Sequence, residues 1–231
     1  MIDYHRFKVL SFDCYGTLID WETGILNAVR PLLDRHGITT TGDQILEVYG
    51  ELESQVEAEG YRTYRSVLRQ VVGRLGVRFE FTPTLDDLNC LADSIGRWPA
   101  FPDTIDALNR LHTRYQLAII SNTDDDLFAE TNKTLQVKFD HIVTAQQVGA
   151  YKPSKDVFSY AVKTIGVQQE QILHVAQSIF HDHVPAKELG FTTVWINRRS
   201  GKAGGGATPP ALARPDAEFP DLASLADAMG L

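Results

Sequence analysis

Residues 7–20, FKVLSFDCYGTLID, constrain the fold more than any other part of this chain. Val9-Leu10-Ser11-Phe12 has the length and composition of a buried strand. Asp13 stands where that run ends, and Gly16-Thr17 follow closely. In an open parallel sheet, the C-terminal ends of the strands border the crevice where ligands bind. A carboxylate placed there is either a turn cap or a reacting group. Gly16 permits a tight or left-handed backbone, and Thr17 can hydrogen-bond back to steady the turn.

The pattern downstream says what surrounds that strand. Apolar residues at helical spacing predict helices over 20–36, 41–60, 61–76 and 84–96. Pro31 predicts a kink or break in the first of these. Within this block only 77–81 has any strand character. After Pro99 and Pro102 the pattern alternates. Helices are expected over 103–115, 125–135, 155–165, 185–189 and 222–229, and strands over 117–120, 141–144, 172–176 and 192–196. The segment 198–214, rich in Gly and Pro, lacks the strand-then-helix context of a phosphate-binding loop and reads as a flexible surface linker. The fold class expected is α/β: a doubly wound parallel-sheet (Rossmann-like) core with an inserted all-helical cap domain. The core spans 1–19 and 98–231, and the cap 20–97.

A chain of 231 residues suits such a core with one insertion. Its net charge of −8 argues against a nucleic-acid or anionic-membrane partner. There is no leader pattern and no bilayer-length apolar run, and two cysteines make no disulfide framework, so a cytoplasmic location is expected.

Every polar motif follows a strand. Asp13 follows the first, Ser121-Asn122 the second and Lys152 the third, while Gln177-Ser178 and Asp182 follow the fourth. Parallel strands bring those ends to one rim, which a helical cap can roof. Asp13 is the candidate nucleophile, able to form an ester that water later cleaves. A rim Lys152 would hold it ionised and aimed. His181-Asp182-His183 invites a metal reading, but side chains two residues apart do not meet on a helix, and no metal is expected. Cys14, beside the nucleophile, is counted among the pocket residues, although its apolar flanks favour packing. Trp21, Trp98 and Trp195 are expected to be packing residues.

The order FDCYGTL, SNT, YKP and a strand with a downstream Asp resembles the haloacid dehalogenase superfamily over essentially the whole chain. Phosphatases of that superfamily carry a second Asp two residues after the nucleophile, where this chain has Tyr15, and an acidic residue where it has Ala176-Gln177. Mg²⁺ prefers carboxylate oxygens, and an alkoxide leaving group needs a proton donor, whereas halide needs none. DxYGT most resembles the type II, L-2-haloacid dehalogenase branch. That resemblance implies a metal-independent hydrolase without cofactor, with Mg²⁺ entering only under a phosphatase alternative. Asp13 would displace halide from C2 of a small 2-haloalkanoic acid, and water would hydrolyse the aspartyl ester to a 2-hydroxy acid. The resemblance assigns Lys152 and Thr17 to orienting Asp13, Ser121 and Asn122 to substrate carboxylate and halide, Asp182 to the hydrolytic water and Tyr15 to the pocket wall.

Two departures stand out. The family's cap Arg aligns near Tyr49 or Gly50, leaving Arg62 or Arg65 as its expected replacements. The fourth motif carries Gln177, expected near Lys152, and His181 in an aromatic position. The expected partners are a small carboxylic acid and halide, and the resemblance is compatible with a homodimer. The alternatives are a phosphatase-like hydrolase, a quiet binding domain, and attack on another electrophilic carbon such as a strained ring.

Overall fold

The computed structural model describes residues 2–202 and 204–231. Ala203, inside the glycine-rich segment, and Met1, the first residue of the expected core, lie outside the described residues. Among the described residues, six strands form one sheet: β1 (Val9–Phe12), β2 (Gln116–Ser121), β3 (His141–Thr144), β4 (Ile172–Ala176), β5 (Thr192–Ile196) and β6 (Ala217–Phe219). Their order is β3-β2-β1-β4-β5-β6, and every pairing is parallel. β1 lies between β2 and β4, and all four of its residues are buried. That matches a continuous apolar run covered on both faces. β6 was not expected; three residues with partial burial give no periodicity to read.

Four helices separate β1 from the rest of the core: α1 (Trp21–Arg35), α2 (Gly42–Ala58), α3 (Tyr64–Arg78) and α4 (Leu85–Ser94). Their starts are fixed locally. The Asp20 carboxylate accepts from the Thr23 N–H, and Thr41 with Gln44 closes a reciprocal capping box. α1 runs uninterrupted through Pro31, so the helix does not break there. Pro31 sits on the exposed face, where the carbonyl it leaves unbonded can be solvated. Residues 77–81 form no strand: α3 runs to Arg78, Val77 is exposed, and Glu80 has a left-handed φ of 59°.

The remaining helices are α5 (Thr104–His112), α6 (Asp125–Leu135), α7 (Ala145–Val148), α8 (Lys155–Ile165), α9 (Val184–Glu188) and α10 (Leu222–Ala228). The glycine-rich segment is a loop, but it is not a free linker. Ala207 is buried, and its carbonyl lies so close to Gly50 of α2 that a Cβ there would sit 2.4 Å from the oxygen. Arg199 also pairs with Glu22 of α1. The tail of the core is thus fastened to the helical insertion.

The insertion is tied to the rim as well. Asp124, after β2, accepts the backbone N–H groups of Tyr64 and Arg65 at 2.8 and 2.9 Å, satisfying the first turn of α3 with a core carboxylate. The Tyr151 hydroxyl donates to the Arg62 carbonyl at 2.7 Å.

Candidate active site

Asp13 is delivered by β1 and held by the turn after it. Gly16 has φ 94°, which few other residues adopt, and a Cβ there would meet Trp21 Nε1 at 2.9 Å. The turn returns Thr17 toward the strand end, where its hydroxyl donates to Asp13 Oδ2 at 2.8 Å and accepts from the Gln177 N–H at 2.9 Å. Lys152 Nζ donates to Asp13 Oδ1, to Asp182 Oδ1 and to the Ile120 carbonyl, at 2.8, 2.8 and 3.0 Å. Asn122 fixes the segment that carries this lysine: its Oδ1 accepts from the Lys152 N–H, and its Nδ2 donates to the Lys152 carbonyl.

A second support comes from inside the sheet. His174 of β4 lies 2.9 Å from Asp182 Oδ1 through Nε2 and 2.9 Å from Ser11 Oγ through Nδ1. A carboxylate only accepts, so His174 Nε2–H donates to Asp182 Oδ1. Asp182 and His181 lie on a π-helical turn, Ile179–His183, that follows β4. The turn begins with Ser178, whose hydroxyl accepts from the His181 N–H.

These residues close around a cavity of about 30 Å³ lined by Asp13, Ser121, Asn122, Lys152, His181 and Asp182 from the core. The insertion contributes Trp21, Glu53, Glu57 and Tyr64, and Tyr15 and Ser178 complete the wall. That volume holds about two waters. Tyr15 donates to or accepts from Thr131 at 2.8 Å and packs edge-on to Trp98. Buried and unpartnered, Ser121 Oγ, His181 Nε2 and Asp182 Oδ2 belong to residues lining this space.

Burial dominates the electrostatics. It raises the Asp13 pKa, with Lys152 pulling the other way. Burial alone would lower the Lys152 pKa, but Asp13 and Asp182 outweigh it, and the ammonium is held above its usual range. Asp182 is the reverse: burial would raise it, yet Lys152 and His174 hold it well below the ordinary carboxylate range. His181 is pushed down to about 4 by burial, so its imidazole is neutral at pH 7.

Several expected site residues are elsewhere. Cys14 is fully buried in the core cluster and does not line the cavity. The Gln177 side chain is not near Lys152; it faces the glycine-rich loop, where Thr208 donates to its Oε1 at 3.4 Å. Arg62 and Arg65 do not replace a cap arginine. Arg62 precedes α3 and donates to Gln70 and Glu59, while Arg65 reaches out to Asp126 and Asp93. Tyr49 and Gly50 do lie on α2, but Tyr49 donates to Glu53 and Gly50 meets the loop. Trp21, expected to be a packing residue, is also part of the cavity wall.

What faces Asp13 from the insertion is acidic. Glu53 Oε1 accepts from both Tyr49 and Tyr64 hydroxyls. Glu57 accepts from Asn122 Nδ2 at 3.2 Å and lies 3.9 Å from His181 Nε2. Burial pushes Glu53 up to about 7, and burial with the neighbouring Glu53 pushes Glu57 well above its usual range. The sequence signal was present: Tyr49, Glu53 and Glu57 recur every four residues beside Ile45, Leu52 and Val56, placing two carboxylates on the apolar face of α2.

Comparison with known proteins agrees with this geometry. Residues 7–182 match the family model of haloacid dehalogenase-like hydrolases. An (S)-2-haloacid dehalogenase of Pseudomonas putida is 30% identical over 210 residues, covering 83% of this chain and 85% of that protein. Haloacetate dehalogenase H-2 of a Moraxella species is 30% identical over 211 residues, covering 84% and 87%. The fold superposes on the L-2-haloacid dehalogenase of Xanthobacter autotrophicus with chloropropionic acid covalently bound, at TM-score 0.80 and 21% identity, over 97% of this chain and 98% of that one. With the aspartate of β1, the lysine that bridges it to Asp182 and a matching family model over most of the chain, this protein belongs to the haloacid dehalogenase-like hydrolases.

Proposed function

We propose that this protein is a hydrolase of carbon–halide bonds that displaces halide from C2 of a small 2-halo acid through an ester on Asp13. The observation that carries this reading is the Asp13–Lys152–Asp182 arrangement. Asp13 is oriented by two donors, Thr17 and Lys152, that leave lone pairs on each oxygen for attack. Burial, which raises its pKa, also makes it a stronger nucleophile. An oxygen of Asp13 bonds to C2 as the carbon–halogen bond breaks, and the bonding pair leaves with the halide. Water then adds to the acyl carbon of the ester and returns Asp13 as a carboxylate with a 2-hydroxy acid. Asp182 Oδ2 is available to accept a hydrogen bond from that water, while Oδ1 stays with Lys152 and His174.

The donor set favours action without a metal ion. The Lys152 ammonium sits between the carboxylates of Asp13 and Asp182, and it supplies there the positive charge that Mg²⁺ would bring. The phosphatase alternative fares worse. Tyr15 holds the position of the proton-donating acid, and burial raises its phenol far from any useful acidity.

We take the cap as residues 20–97 and the core as 1–19 and 98–231, with the protein acting in the cytoplasm. Among the described residues no helix is long and apolar enough to cross a membrane.

The test is halide release from (S)-2-chloropropionate by purified protein in EDTA, followed by multiple turnovers in ¹⁸O-water. Release that persists in EDTA, vanishes in Asp13→Asn and leaves label in the Asp13 carboxylate is expected. Halide release without label would mean direct attack by water and would end the ester reading.

A further inference from the structure

Four carboxyl groups line the cavity, those of Asp13, Glu53, Glu57 and Asp182. Among the described residues, Lys152 is the one cation in its wall. The three protons of its ammonium go to Asp13, Asp182 and the Ile120 carbonyl. Lys152 thus serves the two reacting carboxylates, while a 2-halo acid brings a carboxylate of its own. That anion needs a donor from another group in the wall. Ser121 Oγ, buried and unpartnered, is one.

Glu57 is placed to be the other. Its side chain is 6% exposed and reaches the cavity from α2. Its two oxygens share one neutral donor, Asn122 Nδ2, at 3.4 and 3.2 Å. His181 Nε2, at 3.9 Å, is beyond hydrogen-bond reach. A carboxylate buried without a cation is costly, so this position favours the protonated acid. The groups that face Glu57 do not reverse that preference. Tyr49 and Glu53 on α2, Tyr64 on α3 and Tyr151 before α8 all titrate above their usual ranges, burial being the main cause. His181 is neutral at pH 7. Lys152 draws Glu57 toward ionisation, but burial and Glu53 outweigh it. A carboxylate only accepts, whereas the acid has an O–H to give. Donated to an anionic oxygen, that O–H makes a charge-assisted hydrogen bond.

We propose that Glu57 is a substrate-binding residue that acts as the neutral acid, donating its O–H to the carboxylate of the 2-halo acid. A proton on the insertion then does what a cationic side chain there would do, and Arg62 and Arg65 are not needed. The proposal rests on the aspartyl-ester reading above. The proton stays on Glu57 through turnover, so the balance of the ester mechanism is unchanged.

The experiment follows kcat/KM for halide release from (S)-2-chloropropionate against pH in the wild type, Glu57→Gln, Glu57→Ala and Glu53→Gln. In the wild type it should fall about tenfold per pH unit once Glu57 ionises, because the donor is lost and a repelling charge replaces it. Lys152, held above its usual range of about 10.4, gives a separate limb at higher pH. Glu57→Gln keeps a neutral donor at every pH, so it should stay within about fivefold of the wild-type plateau and lose the first limb. Glu57→Ala should fall about tenfold or more, chiefly through KM. Glu53→Gln should keep the first limb and move it to lower pH, since Glu53 raises Glu57. A measurement on the wild type alone needs no variant to fold: propionate binding, by calorimetry in buffers of different ionisation heat, should take up about one proton above the first limb and none below it. A first limb that survives in Glu57→Gln or vanishes in Glu53→Gln, or propionate binding without proton uptake, overturns this proposal and leaves the ester reading intact. No halide from any of the four proteins overturns both.

Discussion

Lys152→Met tests whether one buried ammonium holds the site together. Lys152 is 1% exposed, and its partners Asp13 and Asp182 are 6% and 0% exposed. Removing one member of a buried ion pair typically destabilises by about 3–5 kcal/mol, because a buried charge is left without compensation. The pH dependence follows from the directions of the shifts. In the wild type, the raised Lys152 pKa contributes stability that is fully present below about pH 10.4 and lost as pH rises through the folded value. The lowered Asp182 pKa contributes stability present above about pH 3.9 and lost as pH falls through the folded value. Between pH 5 and 8 both contributions are therefore complete. Asp13, raised by burial, has the opposite sign and opposes folding as pH rises above about 3.9. Without Lys152, both carboxyls prefer to fold protonated. Each extra proton bound by the folded state makes stability fall by about 1.4 kcal/mol per pH unit. One such proton across three units gives about 4 kcal/mol, in line with the cost of breaking the pair. Urea denaturation followed by tryptophan fluorescence at pH 5, 6.5 and 8 measures it. The deficit of Lys152→Met should already be present at pH 5, where both contributions are complete, and should grow by about 4 kcal/mol on going to pH 8. Adding Asp182→Asn should recover part of it. A deficit that stays constant with pH, or one under 1 kcal/mol at pH 8, would refute the reasoning.

Three further outcomes are expected. Glu53, raised to about 7, opposes folding progressively as pH climbs from its unfolded value of about 4.3 through 7, so Glu53→Gln should flatten the stability profile between pH 5 and 8 and gain about 2–3 kcal/mol at the upper end, read by the same denaturation series. Gly24→Ala places a Cβ 2.3 Å from the Trp98 ring and should lower stability by about 1–3 kcal/mol in thermal melts while leaving the reacting groups in place. His174→Leu removes the partner of both Ser11 and Asp182 and should cost about 1–3 kcal/mol and slow turnover, which paired melts and halide assays will register.

Much of the core was legible because its signals are local. A four-residue apolar run ending in Asp13, and short β-branched runs ending in Ser121 and Ala176, identify buried strands and their C-terminal ends without any tertiary knowledge. Parallel pairing then brings Lys152 and Asp182 to Asp13. The insertion was legible as helices but not as a site. A glutamate on an amphipathic helix normally faces water, and only the closure of α2 over the rim makes Glu53 and Glu57 buried. Arg62 and Arg65 were misread for the related reason that an arginine near a pocket has many outward partners, here Glu59, Gln70, Asp126 and Asp93. His174 was hidden inside a strand whose neighbours are apolar. The docking of the glycine-rich loop could not be read at all, since it depends on Ala207 meeting a bare backbone at Gly50.

The position of β1 in the middle of the sheet has a kinetic corollary. Asp13 touches Lys152 across 139 residues of chain, and Thr17 touches Gln177 across 160. Any contiguous fragment that contains the reacting groups must run from Asp13 to Asp182, and none of these contacts closes until three strands are in register. Loops of that span make assembly slow. Recovered turnover during refolding should therefore trail recovered helicity, and enzymatic activity becomes a clock for the last stage of folding.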